Sequence, residues 1–223
     1  MYKLDVIKQY FVVTIDEKKF ILDIGTPYSF WLKEQQGLIK IYEKEYYLMV
    51  DLIIDGDRLD NELGVHIDGF IGFDILSTTS LTINKAYHCV QFKATGQRGK
   101  VYEMKRGSSI YIPLYVGGET IKYAMNFTLD GFYTKMSVVE DRTYVDSEYV
   151  EEFNIKLGTI YSKAYGKFYF SLGTTKYEVE VKYSPLIEMG YLFEKDMFIV
   201  GNIHDLFVDY ITFDFLHNQI VIH

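Results

Sequence analysis

Scarce residue types set the first limits on this chain. Its 223 residues hold one cysteine, one tryptophan and three prolines. A lone Cys89 excludes a disulfide scaffold and reads as a small strand residue. No run approaches the ~20 consecutive apolar residues of a membrane helix, so no membrane partner is expected. The start, MYKLDVIKQYF, has no basic segment leading into an apolar core. No secretory leader is expected from it, and a cytoplasmic location is the default. Basic residues number 23 against 31 acidic ones, a formal charge of −8. That charge would repel a phosphate backbone, which argues against nucleic acid as a partner. The one basic stretch, Lys93, Arg98, Lys100, Lys105 and Arg106, lies in a glycine-containing segment and reads as a solvated linker. His66, His88, His204, His217 and His223 lack metal-ligand spacing, and neither a nucleophile elbow nor a phosphate-cradling loop is present. No metal and no cofactor are expected.

Aromatic and β-branched residues are plentiful. Aromatics make up 17% of the chain, with 21 tyrosines, which favours strands. Short alternating runs such as YFVVTI, SLTIN, SIYIPLYV, YEVEVKY and QIVIH recur between Gly, Asp and Asn breaks, the signature of an all-β barrel or sandwich. Residues 15–19 and 116–120 read as hairpin turns. Helix signals are sparse: FWLKEQQ from Phe30 and DSEYVEEFN from Asp146 are the two candidates.

The order of landmarks suggests an internal repeat. FILDIG places Phe20, Leu22 and Asp23 beside Phe127, Leu129 and Asp130 of FTLDGF. Further on, the segment from Asp68 to Asn84 matches that from Met197 to Asp214, with Gly72 on Gly201 and LTIN on ITFD after a one-residue insertion. Two homologous lobes are predicted, residues 1–97 and 109–223, joined by a linker at 98–108.

An apolar strand ending in Asp-x-Gly-Thr, an apolar pair before Gly72 and a following LTIN strand resemble the aspartic peptidase family, retropepsin-like and pepsin-like. The resemblance implies an all-β fold of two pseudo-symmetric, β-barrel-like lobes with a cleft between them. It implies an aspartic endopeptidase-like hydrolase cleaving extended peptides, with Asp23 and Asp130 as the catalytic pair. Close carboxylates cannot both ionise cheaply, so one activates a water while the other donates a proton. Gly25, Thr26, Ile24 and Gly131 would form the supporting loops, and Tyr42, Tyr46 and Tyr47 are candidates for a flap tyrosine between residues 39 and 54. The partner would be a peptide or protein substrate, and both lobes in one chain allow a monomer. Departures from the family pattern are concrete. Ile24 and Gly131 stand where hydroxyl residues interlock the two loops, Phe132 stands where Gly is expected, and Tyr133 stands where Thr or Ser is expected. The alternative reading is a catalytically inactive, peptidase-like protein that binds a peptide or a partner.

Overall fold

In a computed structural model, the chain is described at residues 1–33, 36–93, 99–106, 110–116, 119–135, 148–154, 158–172, 174–191, 197–202, 204 and 209–222. Strands hold 61% of the residues and helices 10%, so the fold is all-β. In chain order, β1 (Tyr2–Ile7), β2 (Tyr10–Ile15), β3 (Lys18–Leu22), β4 (Phe30–Leu32), β5 (Gly37–Ile41) and β6 (Lys44–Asp51) precede helix α1 (Gly56–Leu63). Then come β7 (Gly69–Ile71), α2 (Phe73–Leu76), β8 (Ser80–Asn84), β9 (Cys89–Phe92) and β10 (Lys100–Glu103). The next stretch holds β11 (Lys105–Arg106), β12 (Ile110–Val116), β13 (Glu119–Asn126), β14 (Phe132–Thr134), β15 (Val150–Asn154), β16 (Gly158–Leu172) and β17 (Thr175–Tyr183). Helix α3 (Pro185–Tyr191), β18 (Met197–Asn202), β19 (Tyr210–Asp214) and β20 (Gln219–Ile222) follow.

Two compact units emerge, residues 1–102 with 207–223, and residues 103–206. The first differs from the expected lobe because the β19–β20 hairpin belongs to its sheet, with β19 against β8 from Tyr210↔Asn84 to Asp214↔Ser80. Thr82 and Thr212 face each other there through a buried hydroxyl pair at 2.9 Å. The expected linker is also partly strand, since Lys100–Glu103 pairs beside β20 and Lys105–Arg106 beside β12. Its residues 98, 107 and 108 lie outside the described ones.

Within the first unit the strand order β2-β3-β7-β4-β6-β5 contains one unusual step. β3 runs parallel to β7, β7 antiparallel to β4, and β4 parallel to β6. The second unit repeats it: β13 runs parallel to β18, β18 antiparallel to β14, and β14 parallel to β17. Here Tyr115 also pairs with Ser171, which joins β12 to β16 and closes a barrel of six strands. Among the described residues no ladder pair joins β2 to β5.

Composition explains the strands. β2 reads YFVVTI and buries five of its six residues, and β4 reads FWL and is wholly buried. Trp31 packs beneath the sheet on Phe20, with ring centroids 5.0 Å apart, and its indole N–H donates to the Gly37 carbonyl. The turn at 15–19 forms as expected, with Asp16 and Glu17 at φ 47° and 63°, the left-handed pair that a tight hairpin needs. Both helix candidates fail. Phe30–Leu32 is the strand between β7 and β6, and Val150–Asn154 is the strand against β16. Residues 34–35 and 146–147 lie outside the described ones. The longest described helix, α1, is capped by the Asp55 carboxylate on the Asp57 and Arg58 amides and ended by Gly64 at φ 67°. No helix among the described residues is long and apolar enough to cross a membrane.

Candidate functional site: two Asx turns at equivalent strand ends

Asp23 is fully buried at the end of β3. Its amide donates to the Ile71 carbonyl, which continues the β3–β7 ladder by one residue. The side chain then closes a turn on itself: Oδ1 accepts from the Gly25 amide at 2.9 Å, and Oδ2 accepts from the Thr26 hydroxyl at 2.5 Å. An Asx turn of this kind stabilises a reversal without a helix or ladder partner. Ile24 is 6% exposed and is held by packing rather than by a polar contact that its side chain could make. Gly72 fits against the same turn. A Cβ there would lie 2.6 Å from the Tyr28 carbonyl carbon and oxygen and 2.8 Å from the Thr26 oxygen.

Strand register identifies the counterpart of Asp23 in the second unit. Leu22 lies opposite Ile71 and Phe30 opposite Phe70. In the second unit Met125 lies opposite Gly201 and Tyr133 opposite Val200. Only one superposition of these pairings keeps the β3-to-β4 and β13-to-β14 connections free of gaps. It sets Leu22 on Met125, Phe30 on Tyr133, Phe70 on Val200 and Ile71 on Gly201. Asp23 then falls on Asn126, and Gly72 falls on Asn202. The offset that carries Gly69 to Ile199 also carries Thr82 to Thr212, the central pair of the β8–β19 ladder, with no insertion.

Local chemistry agrees with this register. Asn126 is 1% exposed, and its Oδ1 accepts from the Thr128 amide at 2.6 Å, the Thr128 hydroxyl at 3.0 Å and the Leu129 amide at 2.9 Å. Its Nδ2 is buried with no acceptor among the described residues. Asn202, in the place of Gly72, uses its side chain to donate to the Leu129 carbonyl at 2.8 Å. In the first unit the matching carbonyl, Thr26, accepts from the Phe73 amide at 2.7 Å.

The expected pairing of Asp23 with Asp130, and of Gly72 with Gly201, is therefore corrected. Asp130 is four residues past the equivalent position, on an outward turn. Its side chain is 61% exposed and lies 3.7 Å from Lys182 Nζ. Gly131 follows at φ 85°, and a Cβ there would approach only the end of the Lys182 side chain. Glycine suits that position because its backbone is left-handed.

The hairpin expected between residues 39 and 54 is present as β5–β6. Tyr42, Tyr46 and Tyr47 lie on the β5–β6 hairpin, whose second strand pairs with β4 as β17 pairs with β14. This hairpin is thus part of the shared strand pattern. Its tip is tied down: Tyr42 donates its amide to the Tyr2 hydroxyl at 2.6 Å, and Lys93 Nζ sits 4.2 Å from the Tyr42 ring centre. Tyr46 reaches the Thr78 hydroxyl at 3.3 Å, while Tyr47 points outward at 58% exposure. Among the described residues, an element without a counterpart in the first unit is the hairpin of β15 and residues 158–162 of β16.

One ionic cluster had no reading in the sequence. Asp60 of α1 accepts from His66 Nδ1 at 2.6 Å, from the Ile67 amide at 2.8 Å and from Lys33 Nζ at 3.0 Å. Burial pushes the Asp60 carboxyl upward, but these three donors outweigh it and hold the group below its ordinary value. Asp68, 5% exposed, accepts from the Lys19 amide at 2.8 Å and so pins the entry to β7. The helix cap at Asp55 and the stop at Gly64 were the sequence signals that could have found this corner. Among the described residues no group of three or more His, Cys, Asp and Glu is placed to hold a metal ion. No protein-family model matches the chain, and no curated protein matches it either.

Proposed function

We propose that this chain is a peptidase-like β-protein that binds an extended peptide and does not cleave it. The observation that carries the reading is the occupancy of the two equivalent strand ends, by Asp23 in one unit and Asn126 in the other. A carboxamide cannot give up or hold the proton that a two-carboxylate mechanism passes back and forth. Asp130 supplies no substitute from its outward turn beside Lys182. The proposal includes the two-lobed arrangement with a cleft that the family resemblance implies. Binding of an extended chain suits a strand-rich protein, because backbone hydrogen bonds hold the ligand while alternate side chains enter pockets.

The test is a mixed library of unstructured peptides, followed by mass spectrometry across acidic to neutral pH and by retention on the immobilised protein. The expected result is retention of a peptide subset with no cleavage by the wild type. Acid-pH cleavage that is lost in Asp23→Asn and in Asp130→Asn alike would restore the two-aspartate hydrolase. A library that is neither retained nor cleaved would overturn the binding reading.

A further inference from the structure

In the first unit, the ladder of β9, β8 and β19 carries an open hollow of about 420 Å³. Strand register explains its floor. Gln91 lies opposite Thr82 and Thr82 opposite Thr212, while Cys89 lies opposite Asn84 and Asn84 opposite Tyr210. Paired residues, and residues two apart on one strand, point to the same face of a sheet. The alternate residues Leu81, Ile83, Val90, Ile211 and Phe213 are fully buried on the core face. A polar residue on the opposite face is ordinarily open to water, yet Thr82 is only 5% exposed and shares its hydroxyl with Thr212 at 2.9 Å. It lies at the bottom of the hollow. The groups around it are accessible: Gln91 is exposed, Tyr87 is 81% exposed, and Asn84, Cys89 and Tyr210 are half-buried. Met1 completes the lining.

We infer that this hollow is a binding site for a small, neutral, hydroxyl-rich ring, the chemistry of an uncharged mono- or disaccharide. Its volume falls within the range of small-molecule sites. Among the described residues no ionic side chain lines it. Lys3, which register places opposite Cys89, is paired with Asp5 at 2.9 Å. A phosphate, carboxylate or amine would therefore find no counter-charge. A neutral hydroxyl both donates and accepts, and the Gln91 carboxamide can answer it in both ways. The Asn84 oxygen accepts from the Tyr87 amide at 2.9 Å, which fixes the turn and leaves the amino end of Asn84 as a donor to the ligand. Tyr87 and Tyr210 add ring surface for the apolar side of a sugar. An extended peptide does not suit the place. β8, β9 and β19 each have a strand on both sides, so no open edge is offered for backbone pairing. The inference uses none of the residues on which the peptide reading rests, and either can fail alone.

Cys89 is the one cysteine of the chain and lines the hollow, so its alkylation reports occupancy. The probes are neutral hexoses, N-acetylhexosamines and their disaccharides, with hexose phosphates, hexuronic acids and unstructured peptides for comparison. Iodoacetamide labelling of the full chain, followed by mass spectrometry, gives the rate, and titration calorimetry gives the affinity. A neutral sugar at about ten times its dissociation constant should slow alkylation about tenfold. The charged sugars should not. Gln91→Ala and Tyr87→Ala, both at exposed positions, should each weaken that sugar about twofold to tenfold. Tyr169→Ala, at an exposed tyrosine of β16, should leave its affinity unchanged. Protection by charged sugars as strong as by neutral ones, or by peptides alone, would overturn the assignment. So would the absence of protection by any neutral sugar, or a Cys89 that does not react even in the free protein. Affinity unchanged in both Gln91→Ala and Tyr87→Ala overturns it too.

Discussion

The two units share a strand pattern and differ in what fills it. Each holds the parallel–antiparallel–parallel run of four strands, and each ends its first parallel strand in an Asx turn. One turn is made by a carboxylate and the other by a carboxamide. Folding alone therefore asks for an acceptor oxygen at this point, and Asn serves as well as Asp. The negative charge of Asp23 is not required by the turn geometry. The units differ in closure too, since Tyr115 pairs with Ser171 in the second. The second unit also inserts a hairpin where residues 33–36 join β4 to β5 in the first.

The largest expected effect breaks the comparison at its tightest contact. Gly72→Ala would press a Cβ to 2.6 Å from the Tyr28 backbone, whereas Gly201→Ala would meet the Phe132 ring at 2.5 Å and backbone, the Gly131 oxygen, only at 3.0 Å. A backbone cannot turn aside as a ring can. Urea unfolding should show a loss of about 3 kcal/mol or more for Gly72→Ala and about 1–3 kcal/mol for Gly201→Ala. Equal losses would contradict the idea that the first turn is the more rigidly packed.

Next come the turns themselves. Asn126→Ala removes the acceptor of the Thr128 amide, the Thr128 hydroxyl and the Leu129 amide, and Asp23→Ala removes that of the Gly25 amide and the Thr26 hydroxyl. Losses of about 1–3 kcal/mol are expected for each, measured by the same unfolding curves. Replacing Asp23 by Asn should cost less than replacing it by Ala. If the two cost the same, the turn does not depend on an acceptor oxygen at all.

The smallest effect belongs to the first unit alone. Asp60 is held below its ordinary value, so its contribution exists above the unfolded-state value and is lost as pH falls through the folded one. Asp60→Asn should cost up to about 1 kcal/mol near neutral pH and progressively less in acid. Thermal melts from neutral to strongly acidic pH would show the wild-type and variant curves converge. A gap that stays constant in acid would mean the carboxylate contributes only through shape.

Much of the strand content was legible because the pleat repeats every two residues and breaks at Gly, Asp and Asn. YFVVTI, SLTIN and QIVIH announce β2, β8 and β20 in this way. The repeat was legible in outline, but its register was not. Phe127, Leu129 and Asp130 imitate Phe20, Leu22 and Asp23 in type, yet Phe127 and Leu129 lie within the turn, buried there by packing. The true counterpart of FILD is YAMN, which shares no identities with it. Hydrogen-bond register, not residue type, fixes which positions correspond, and a single sequence carries little trace of it. The Val150–Asn154 strand was hidden for a related reason. Its two glutamates resemble the first turn of a helix, but pairing with Tyr161 and Ile160 and the hold on Lys182 override that preference.

The place of β19 has a consequence for how the chain is made. Thr82 waits for Thr212, 130 positions later, before the central ladder of the first unit can form. Contacts of such long range are slow to find and expose strand edges while they are missing. As the chain leaves the ribosome, β8 carries an unpaired edge through the whole synthesis of residues 103–206. The second unit can close its barrel during that time, while the first cannot finish its sheet. A nascent chain stalled before residue 209 should therefore hold a protected barrel beside an open, protease-sensitive sheet, and release of the last two strands should seal it.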